Sequence, residues 1–247
     1  MTRAKAREAE IIPVPKRLKG RNILLTGAHT DLGHALALSL ATQGASLLLL
    51  ARKERLLATL YDQIMEKEGA EPLLIAMDVA SASEEDFAAL EDGLRNEVGV
   101  LHSIVNADIP AAPLSPLVNT SLETWNACFH GMLIRPMLMV RNLLPLLQQA
   151  DSASVVFLTL PCGRLGKANW TAVGAALAGL ENLCQALAVE HPEIRFNTLD
   201  PGPVGSDLRR RYYPAEARAD LLAVDDASVM QAFLDLLLVS EQADSAT

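Results

Sequence analysis

Side chains suited to acid–base, nucleophilic or metal chemistry are few and scattered in this sequence of 247 residues. The five histidines show no spacing that would gather several ligands around one zinc ion. They are His29, His34, His102, His130 and His191. Cys162 follows a predicted strand, but a nucleophilic thiol needs a lowered pKa and a nearby base, and the sequence offers neither. We therefore predict no metal site and no cysteine nucleophile.

Residues 22–52 indicate a different chemistry, the binding of phosphate groups by backbone. A short apolar run ends in a turn at Gly27, an Ala- and Leu-rich helix follows, and a second apolar run begins after Gly44. Such a strand–helix–strand unit is almost always right-handed with parallel strands. Free N–H groups at the N-terminus of its helix bind the pyrophosphate of a dinucleotide. The first turn is therefore the predicted place for such a ligand.

The apolar runs predict six strands that alternate with helices. The predicted strands are Asn22–Thr26, Ser46–Ala51, Pro72–Met77, Val100–Asn106, Ser154–Leu160 and Glu193–Leu199. The predicted helices are Asp31–Gln43, Lys53–Glu68, Ser83–Val98, Ser121–Gln149 with a kink at Pro136, Asn169–Glu190, Pro214–Leu222 and Asp226–Val239. This alternation predicts an α/β fold with a parallel sheet covered on both faces, and a ligand at the carboxyl ends of the strands.

Composition limits the class of protein. A net charge of −9 argues against a nucleic-acid partner, because phosphate binding needs clustered Lys and Arg. Residues 1–18 carry alternating charge and no apolar stretch of a signal peptide, so we predict a flexible arm there and one domain over 19–247. The uncharged run 32–50 changes period at Gly44, which favours a helix and a strand over a membrane span. With three cysteines read as reduced, the expected location is the cytoplasm.

Several short motifs lie along the chain in a fixed order. They are Thr26-Gly27-Ala28 with Leu32-Gly33, then Asp78-Val79, Asn106-Ala107, Trp125 and Pro201-Gly202. Together they resemble the short-chain dehydrogenase/reductase family from Leu18 to about Ser240. The segment 163–170 is similar to a bacterial subgroup with G-R-x-G-x-A-N-W before its catalytic helix. The resemblance implies a Rossmann-type sheet of order 3-2-1-4-5-6, here without the last strand of the family.

The resemblance also implies which residues would contact a cofactor. They are Gly27, His29, Asp31, Leu32, Gly33, Arg52, Asp78, Val79, Asn106, Ala107, Pro201 and Gly202. Arg52 follows the second strand, where a base favours NADP(H) over NAD(H). However, Asp31 replaces the middle glycine of the turn, and Asp108 replaces the glycine of the N-A-G motif. Asp31 either repels a pyrophosphate or is an ordinary acid in the first turn of a helix, and we expect no tightly bound dinucleotide.

The catalytic groups that the resemblance implies are missing. The family uses an Asn, a Ser, a Tyr and a Lys one helical turn after the Tyr, so that donor and ammonium meet. Counting from Trp125 and Gly163 places these four positions at Met132, Leu160, Val173 and Leu177, which are all apolar. None of the three tyrosines has a lysine four residues later. The family tetrad is therefore predicted to be absent.

Two hypotheses follow for the function. The first is a non-catalytic binding, regulatory or oligomer-forming protein, with an apolar pocket lined by Met132, Leu160, Val173 and Leu177 that could take a small apolar ligand. The second is an NADP-dependent oxidoreductase acting on a carbonyl or hydroxyl compound, with a rewired proton donor such as Tyr212, Tyr213 or a substrate group. Under either hypothesis, the protein is expected to form a homodimer through helices 121–149 and 169–190. No nucleic-acid or membrane partner is expected.

Overall fold

Six parallel strands form one sheet in the order β3-β2-β1-β4-β5-β6. The structure is a computed structural model that describes residues 16–52, 55, 57–67, 69–79 and 82–238. The strands are β1 Asn22–Thr26, β2 Ser46–Ala51, β3 Leu73–Ala76, β4 Ser103–Asn106, β5 Ala153–Leu158 and β6 Ile194–Leu199. All adjacent pairs are parallel, so the six carboxyl ends lie along one edge. The predicted fold class and strand order are confirmed.

Continuous apolar runs build the central strands because a parallel sheet is buried on both faces. Leu47 to Leu50 are at most 2% exposed, and all six residues of β5 are buried. Strands β1 to β3 extend the sheet to one side, and β4 to β6 extend it to the other, so the strand order switches between β1 and β4, which lie side by side. A gap between the loops therefore forms at the carboxyl ends of these two strands, where ligands bind in open α/β sheets.

Eight α-helices are found in the described residues, and all of them except α7 form two groups. They are α1 Asp31–Thr42, α2 Ala58–Glu66, α3 Glu84–Glu97, α4 Leu122–Phe129, α5 Arg135–Leu147, α6 Thr171–Glu190, α7 Asp207–Tyr212 and α8 Ala227–Leu237. Helix α1 contacts α2 and α8, whereas α3 contacts α5 and α4 contacts α6. Each group covers one face of the sheet, which completes the three-layer architecture.

The long predicted helix 121–149 is divided by one wide turn. Residues His130–Ile134 are π-helical and separate α4 from α5. Pro136 lacks the N–H that would reach the carbonyl of Gly131 in this wider turn. The buried Arg135 side chain donates to that carbonyl instead, from Nε at 3.2 Å and Nη2 at 3.0 Å. The expected kink is thus a π-turn whose free carbonyl is satisfied by a guanidinium.

Several predicted boundaries are wrong. The helix expected at 214–222 is not present, and the segment contains only a 3₁₀ turn at Arg218–Asp220. The helix after β6 is α7, which begins earlier because Ser206 accepts a hydrogen bond from the Arg209 N–H. Strand β4 starts at Ser103 and β5 ends at Leu158, so each is shorter than predicted. Start and end residues depend on hydrogen bonds that apolar runs do not reveal.

The predicted flexible arm mostly lies outside the described residues, which begin at residue 16. Its last residue does not fit the prediction, because Leu18 is fully buried and its N–H donates to the Gln43 carbonyl at 2.9 Å. Packing against the end of α1 therefore makes Leu18 part of the folded domain.

Helix α6 is the one helix of the described residues that is long and apolar enough to cross a membrane. A buried helix of a folded domain meets the same criteria, so this observation alone is weak. Val173, Ala176, Leu177 and Leu180 of α6 are buried, and the helix packs against β6. Its apolar composition is accounted for by this core packing.

Candidate functional site

A cavity of about 560 Å³ lies at the carboxyl ends of the strands. Of the twelve residues that the resemblance assigned to a cofactor, all but one line it. They are Gly27, His29, Asp31, Leu32, Arg52, Asp78, Val79, Asn106, Ala107, Pro201 and Gly202. Gly33 does not line the cavity, because it lies beneath the turn. Strand ends that are far apart in sequence therefore surround one space.

Close backbone packing requires the two glycines of the turn between β1 and α1. Gly27 has φ +77°, and a Cβ there would lie 2.8 Å from the carbonyl carbon of Ala107. A Cβ on Gly33 would lie 2.1 Å from the Gly27 carbonyl oxygen. Thr30 caps α1 by accepting from the Gly33 N–H at 3.1 Å. The turn is held in a tight conformation that places the helix N-terminus at the cavity.

The Asp31 carboxylate is engaged by the protein itself. Its Oδ1 accepts from the Leu32 N–H at 2.9 Å, and its Oδ2 accepts from the Asp207 N–H at 2.7 Å. Arg210 Nη2 lies 3.3 Å from the same Oδ2. The first turn of α1 is therefore joined to the first turn of α7 by one side chain. Both interpretations of Asp31 made from the sequence overlooked this long-range contact.

The side of the cavity near β1, β2 and β3 keeps the polar residues that the resemblance implied. Thr26 Oγ1 donates to Asn106 Oδ1 at 2.7 Å, which ties the ends of β1 and β4 together. Arg52 and Asp78 are exposed at the ends of β2 and β3, and both line the cavity. This side of the cavity is therefore lined by an arginine and several polar side chains.

The four apolar residues at the implied tetrad positions do not line one pocket, contrary to expectation. Leu160 lines the main cavity, whereas Met132 lines a second cavity of about 330 Å³. Val173 and Leu177 line neither cavity and are at most 1% exposed. The physical reason is that apolar side chains on α6 pack into the core rather than pointing to the cavity.

Thr159, next to the implied serine position, has a structural role. It is fully buried, and its Oγ1 donates to Glu181 Oε1 at 2.7 Å. Arg164 Nη1 lies 3.0 Å from the same oxygen, and Arg164 Nη2 lies 3.3 Å from Asp200. This network anchors the loop after β5 to α6. It does not direct the Thr159 hydroxyl into the cavity.

The wall near β4 and β5 is largely apolar and contains one buried cation. Arg135 is 8% exposed and lines the cavity, with Nη2 at 3.6 Å from Asp108 Oδ2.

Burial raises the pKa of the Cys162 thiol to about 11, so this thiol is neutral at pH 7. Burial likewise raises the pKa of Tyr212, whose hydroxyl accepts from the Ala112 N–H at 3.1 Å. A neutral thiol is a poor nucleophile.

A tyrosine–lysine pair lies at the edge of the cavity, and sequence reasoning missed it. Lys167 Nζ donates to Tyr213 Oη at 2.8 Å and also lies 4.2 Å from the centre of the Tyr213 ring. Tyr213 lines the cavity and stacks near Trp170, with ring centres 5.7 Å apart. Lys167 and Tyr213 are 46 positions apart, so no helical spacing in the sequence could have indicated their contact.

The arginine run at 209–211 is largely used within the protein. Arg209 forms a two-point contact with Glu216, at 2.7 and 2.6 Å, and Arg210 pairs with Asp31 and Asp207. Arg211 is exposed and lines the cavity. Among the described residues, no group of three or more His, Cys, Asp or Glu could hold a metal ion.

A doubly wound parallel sheet with a glycine turn at its switch point defines a protein of the dinucleotide-binding α/β class. The sequence model of the short chain dehydrogenase family matches residues 21–217. The chain belongs to this family.

Relatives support the same assignment. The oxidoreductase YciK of Escherichia coli K12, itself uncharacterized, is 30% identical over 83% of this chain and 81% of its own. The cis-4-hydroxycyclohexanecarboxylate dehydrogenase of Sinomonas cyclohexanicum is 31% identical over 82% of this chain and 80% of its own. A solved Pseudomonas syringae protein, assigned to the short chain dehydrogenases, is 32% identical and covers 94% of both chains with a TM-score of 0.85. A similar Shigella flexneri structure, complexed with NADP, is 26% identical over 92% of this chain and 94% of its own, with a TM-score of 0.87.

Proposed function

We propose that this protein is a non-catalytic member of the short chain dehydrogenase family that binds a small, largely apolar ligand in the main cavity. The observation that carries the proposal is the hydrocarbon at the four tetrad positions, with Met132, Val173 and Leu177 buried in the core. General acid catalysis needs a donor within hydrogen-bond reach of the substrate. A buried valine and leucine on α6 supply neither a proton nor an ammonium group.

The residues of the turn fit a tightly bound NADP(H) poorly. Arg52, Asp78 and Asn106 are suitable for the adenosine part of such a cofactor. The pyrophosphate part would need the N–H groups at the start of α1, and Asp31 already accepts from the Leu32 N–H. A carboxylate at that place also repels the two negative charges of a pyrophosphate. We therefore propose that no dinucleotide is tightly held, and that any bound one is NADP(H).

The ligand class is proposed from the wall near β4 and β5. Ile109, Pro110, Met139, Leu158 and Leu160 supply an apolar surface to the cavity. An apolar molecule there gains free energy from removing hydrocarbon from water, at about 25 cal/mol per Å². The Arg135 and Asp108 pair offers both a donor and an acceptor to one polar group of the ligand. Pockets for small molecules commonly combine an apolar lining with a few polar groups.

Two measurements on the purified protein test this proposal. Titration with NADPH, followed by its fluorescence, is expected to show no saturation in the micromolar range. Incubation with NADPH and a panel of aldehydes and ketones is expected to show no oxidation of NADPH above the protein-free rate. YciK, assayed in parallel, is the comparison protein. Micromolar NADPH affinity, or turnover of any carbonyl compound at ordinary enzyme rates, would contradict the proposal.

A second candidate is an NADP(H)-dependent oxidoreductase for a carbonyl or hydroxyl compound, with Tyr213 as proton donor. The observation that favours it is the 2.8 Å contact between Lys167 Nζ and the Tyr213 hydroxyl at the cavity edge. The family uses the same two functional groups on one helix. The NADP complex of the Shigella flexneri relative also agrees with such a cofactor. If turnover is found, Tyr213→Phe should abolish it, whereas Tyr61→Phe, on the distant α2, should leave it unchanged.

We also propose a homodimer that forms through residues 121–149 and 169–190. Leu122 is 74% exposed and Val189 is 83% exposed, so these helices present apolar side chains to solvent. Two copies related by a two-fold axis could bury them against each other. Light scattering should give the mass of two chains. A mass of one chain at micromolar concentration would contradict this assembly.

A further inference from the structure

Asp31 connects two parts of the molecule that border the cavity. It lies at the start of α1, and the backbone N–H that it accepts at 2.7 Å belongs to Asp207, which is 176 residues away. Most residues of α7 and the residue on each side of it line the cavity, namely 206–209 and 211–213. The Asp31 carboxylate therefore holds one wall of the cavity against the glycine turn.

The hydrogen bonds of Asp31 resemble those that a bound anion would make. One oxygen accepts from a backbone N–H in the first turn of α1, and the other accepts from a backbone N–H in the first turn of α7. Arg210 adds a guanidinium contact at 3.3 Å. Backbone N–H groups at the start of a helix and an arginine are the donors that proteins use for phosphate groups. In this chain a carboxylate of the protein itself takes these donors.

The charges around this contact disfavour a second anion. Asp31 and Asp207 both pair with Arg210, so two carboxylates share one guanidinium. Asp31 is one-quarter exposed, which leaves its charge incompletely screened by water. A pyrophosphate would have to displace Asp31 from the Leu32 N–H and then remain beside both acids. The contact between α1 and α7 would be lost at the same time.

We infer that Asp31 is an internal anion that takes the place of the cofactor pyrophosphate and holds the segment 206–213 closed over the cavity. This inference rests on the proposed function in one respect, since it explains how the cavity is kept for a ligand without a diphosphate. It assigns the exclusion of dinucleotides to a single side chain. It also makes the position of α7 independent of a bound nucleotide.

Three variants test the inference. Asp31→Gly removes the carboxylate and restores the small residue that the family has in this turn. Asp31→Asn keeps the size and one accepting oxygen but removes the charge. Glu84→Gly is the matched control, because Glu84 is likewise an acid at the first position of a helix, α3, and does not line the cavity. Circular dichroism verifies that each variant is folded.

The first readout is the affinity for NADPH, measured by fluorescence titration and calorimetry. Asp31→Gly should bind at least about tenfold more tightly than the wild type, because a like-charge contact and a competing acceptor are both removed. Asp31→Asn should fall between the two, and Glu84→Gly should equal the wild type. An Asp31→Gly affinity equal to that of the wild type would overturn the inference.

The second readout needs no nucleotide. Trypsin cleaves after arginine, and Arg209, Arg210 and Arg211 lie in α7. Cleavage of a closed segment follows the population of its open form, so Asp31→Gly should be cut there about threefold faster or more. Mass spectrometry identifies the cleaved bond, and Glu84→Gly should be cut at the wild-type rate. Unchanged cleavage in both Asp31 variants would also overturn the inference. Carbonyl turnover by the wild type that appears only at millimolar NADPH would contradict the proposed function and leave the inference standing, whereas micromolar NADPH affinity of the wild type would contradict both.

Discussion

The two sides of the cavity have different relationships to the family pattern. On the side of β1, β2 and β3, the glycine turn, Arg52 and Asp78 line the cavity and match the family pattern implied by the resemblance. On the side of β5 and α6, Val173 and Leu177, which stand at the tetrad positions implied by the resemblance, are buried in the core. The comparison teaches that the fold depends on backbone packing and apolar burial, whereas the reaction depends on a few polar side chains. In this chain the backbone packing is retained, and the side chains at the implied reaction positions are apolar.

The largest expected effect sharpens this contrast on α6. Leu177→Lys places an ammonium group at a position that is fully buried, and the nearby Glu181 is already bonded to Thr159 and Arg164. An uncompensated buried charge should lower the free energy of unfolding by about 3–5 kcal/mol. Urea denaturation measures the change. Ala178→Lys, at the next and exposed position, is the control and should change stability by less than about 1 kcal/mol. Equal stability of the two variants would contradict the difference between the two sides of the cavity. It would mean that a lysine at position 177 finds polar surroundings rather than the apolar core.

An intermediate effect is expected in the glycine turn. Gly33→Ala brings a Cβ to 2.1 Å from the Gly27 carbonyl oxygen, so the backbone must shift. The expected loss is about 1–3 kcal/mol in the free energy of unfolding. Gly93→Ala in α3 is the control, because no atom lies within 4 Å of the added Cβ, and it should stabilise the protein by up to about 1 kcal/mol. A neutral Gly33→Ala would show that the turn is looser than its geometry indicates.

The smallest expected effect is the pH dependence of the unfolding free energy that arises from the buried thiols on the side of β5 and α6. Burial raises the pKa of Cys162 and of Cys184 from 9.0 to about 11. Unfolded thiols ionise as the pH passes 9, whereas the folded thiols stay neutral until about 11. Stability contributed by the neutral thiols is therefore complete below pH 9 and lost as the pH rises to 11. In Cys184→Ala, the fall in unfolding free energy over this interval should be smaller by about 1–2 kcal/mol. Parallel pH curves for variant and wild type would mean that water reaches the thiol.

Much of the fold could be predicted because apolar runs and helical periods are local properties. Strands β1 and β2 were predicted with the bounds that the structure has. The predicted carboxyl end of β5 lies two residues too late, because Thr159 and Leu160 have side chains that favour a strand but the chain turns at Pro161. The helix predicted at 214–222 was wrong because its alanines favour a helix in isolation. Ser206 was the signal that could have located α7.

Many residues that line the cavity could be predicted from the sequence, but the contacts between them could not. Residues that end parallel strands must lie along one edge, so the motifs located residues that line one cavity. The contacts of Asp31 with Asp207 and of Lys167 with Tyr213 join segments that no local pattern relates. The predicted apolar pocket failed for a related reason. An apolar residue on a helix can face a cavity or the core, and only the packing of its neighbours decides which.

The amino-acid sequence by itself determined the alternation of strands and helices and the absence of a proton donor and an ammonium group at the counted positions. These properties depend on residue type and on spacing along one segment. Only the tertiary structure decided that Leu160 faces the cavity while Val173 and Leu177 do not, and that Asp31 is bonded to α7. The physical reason is that such contacts form between segments distant in the chain, and they exist only after the crossovers have closed around the sheet.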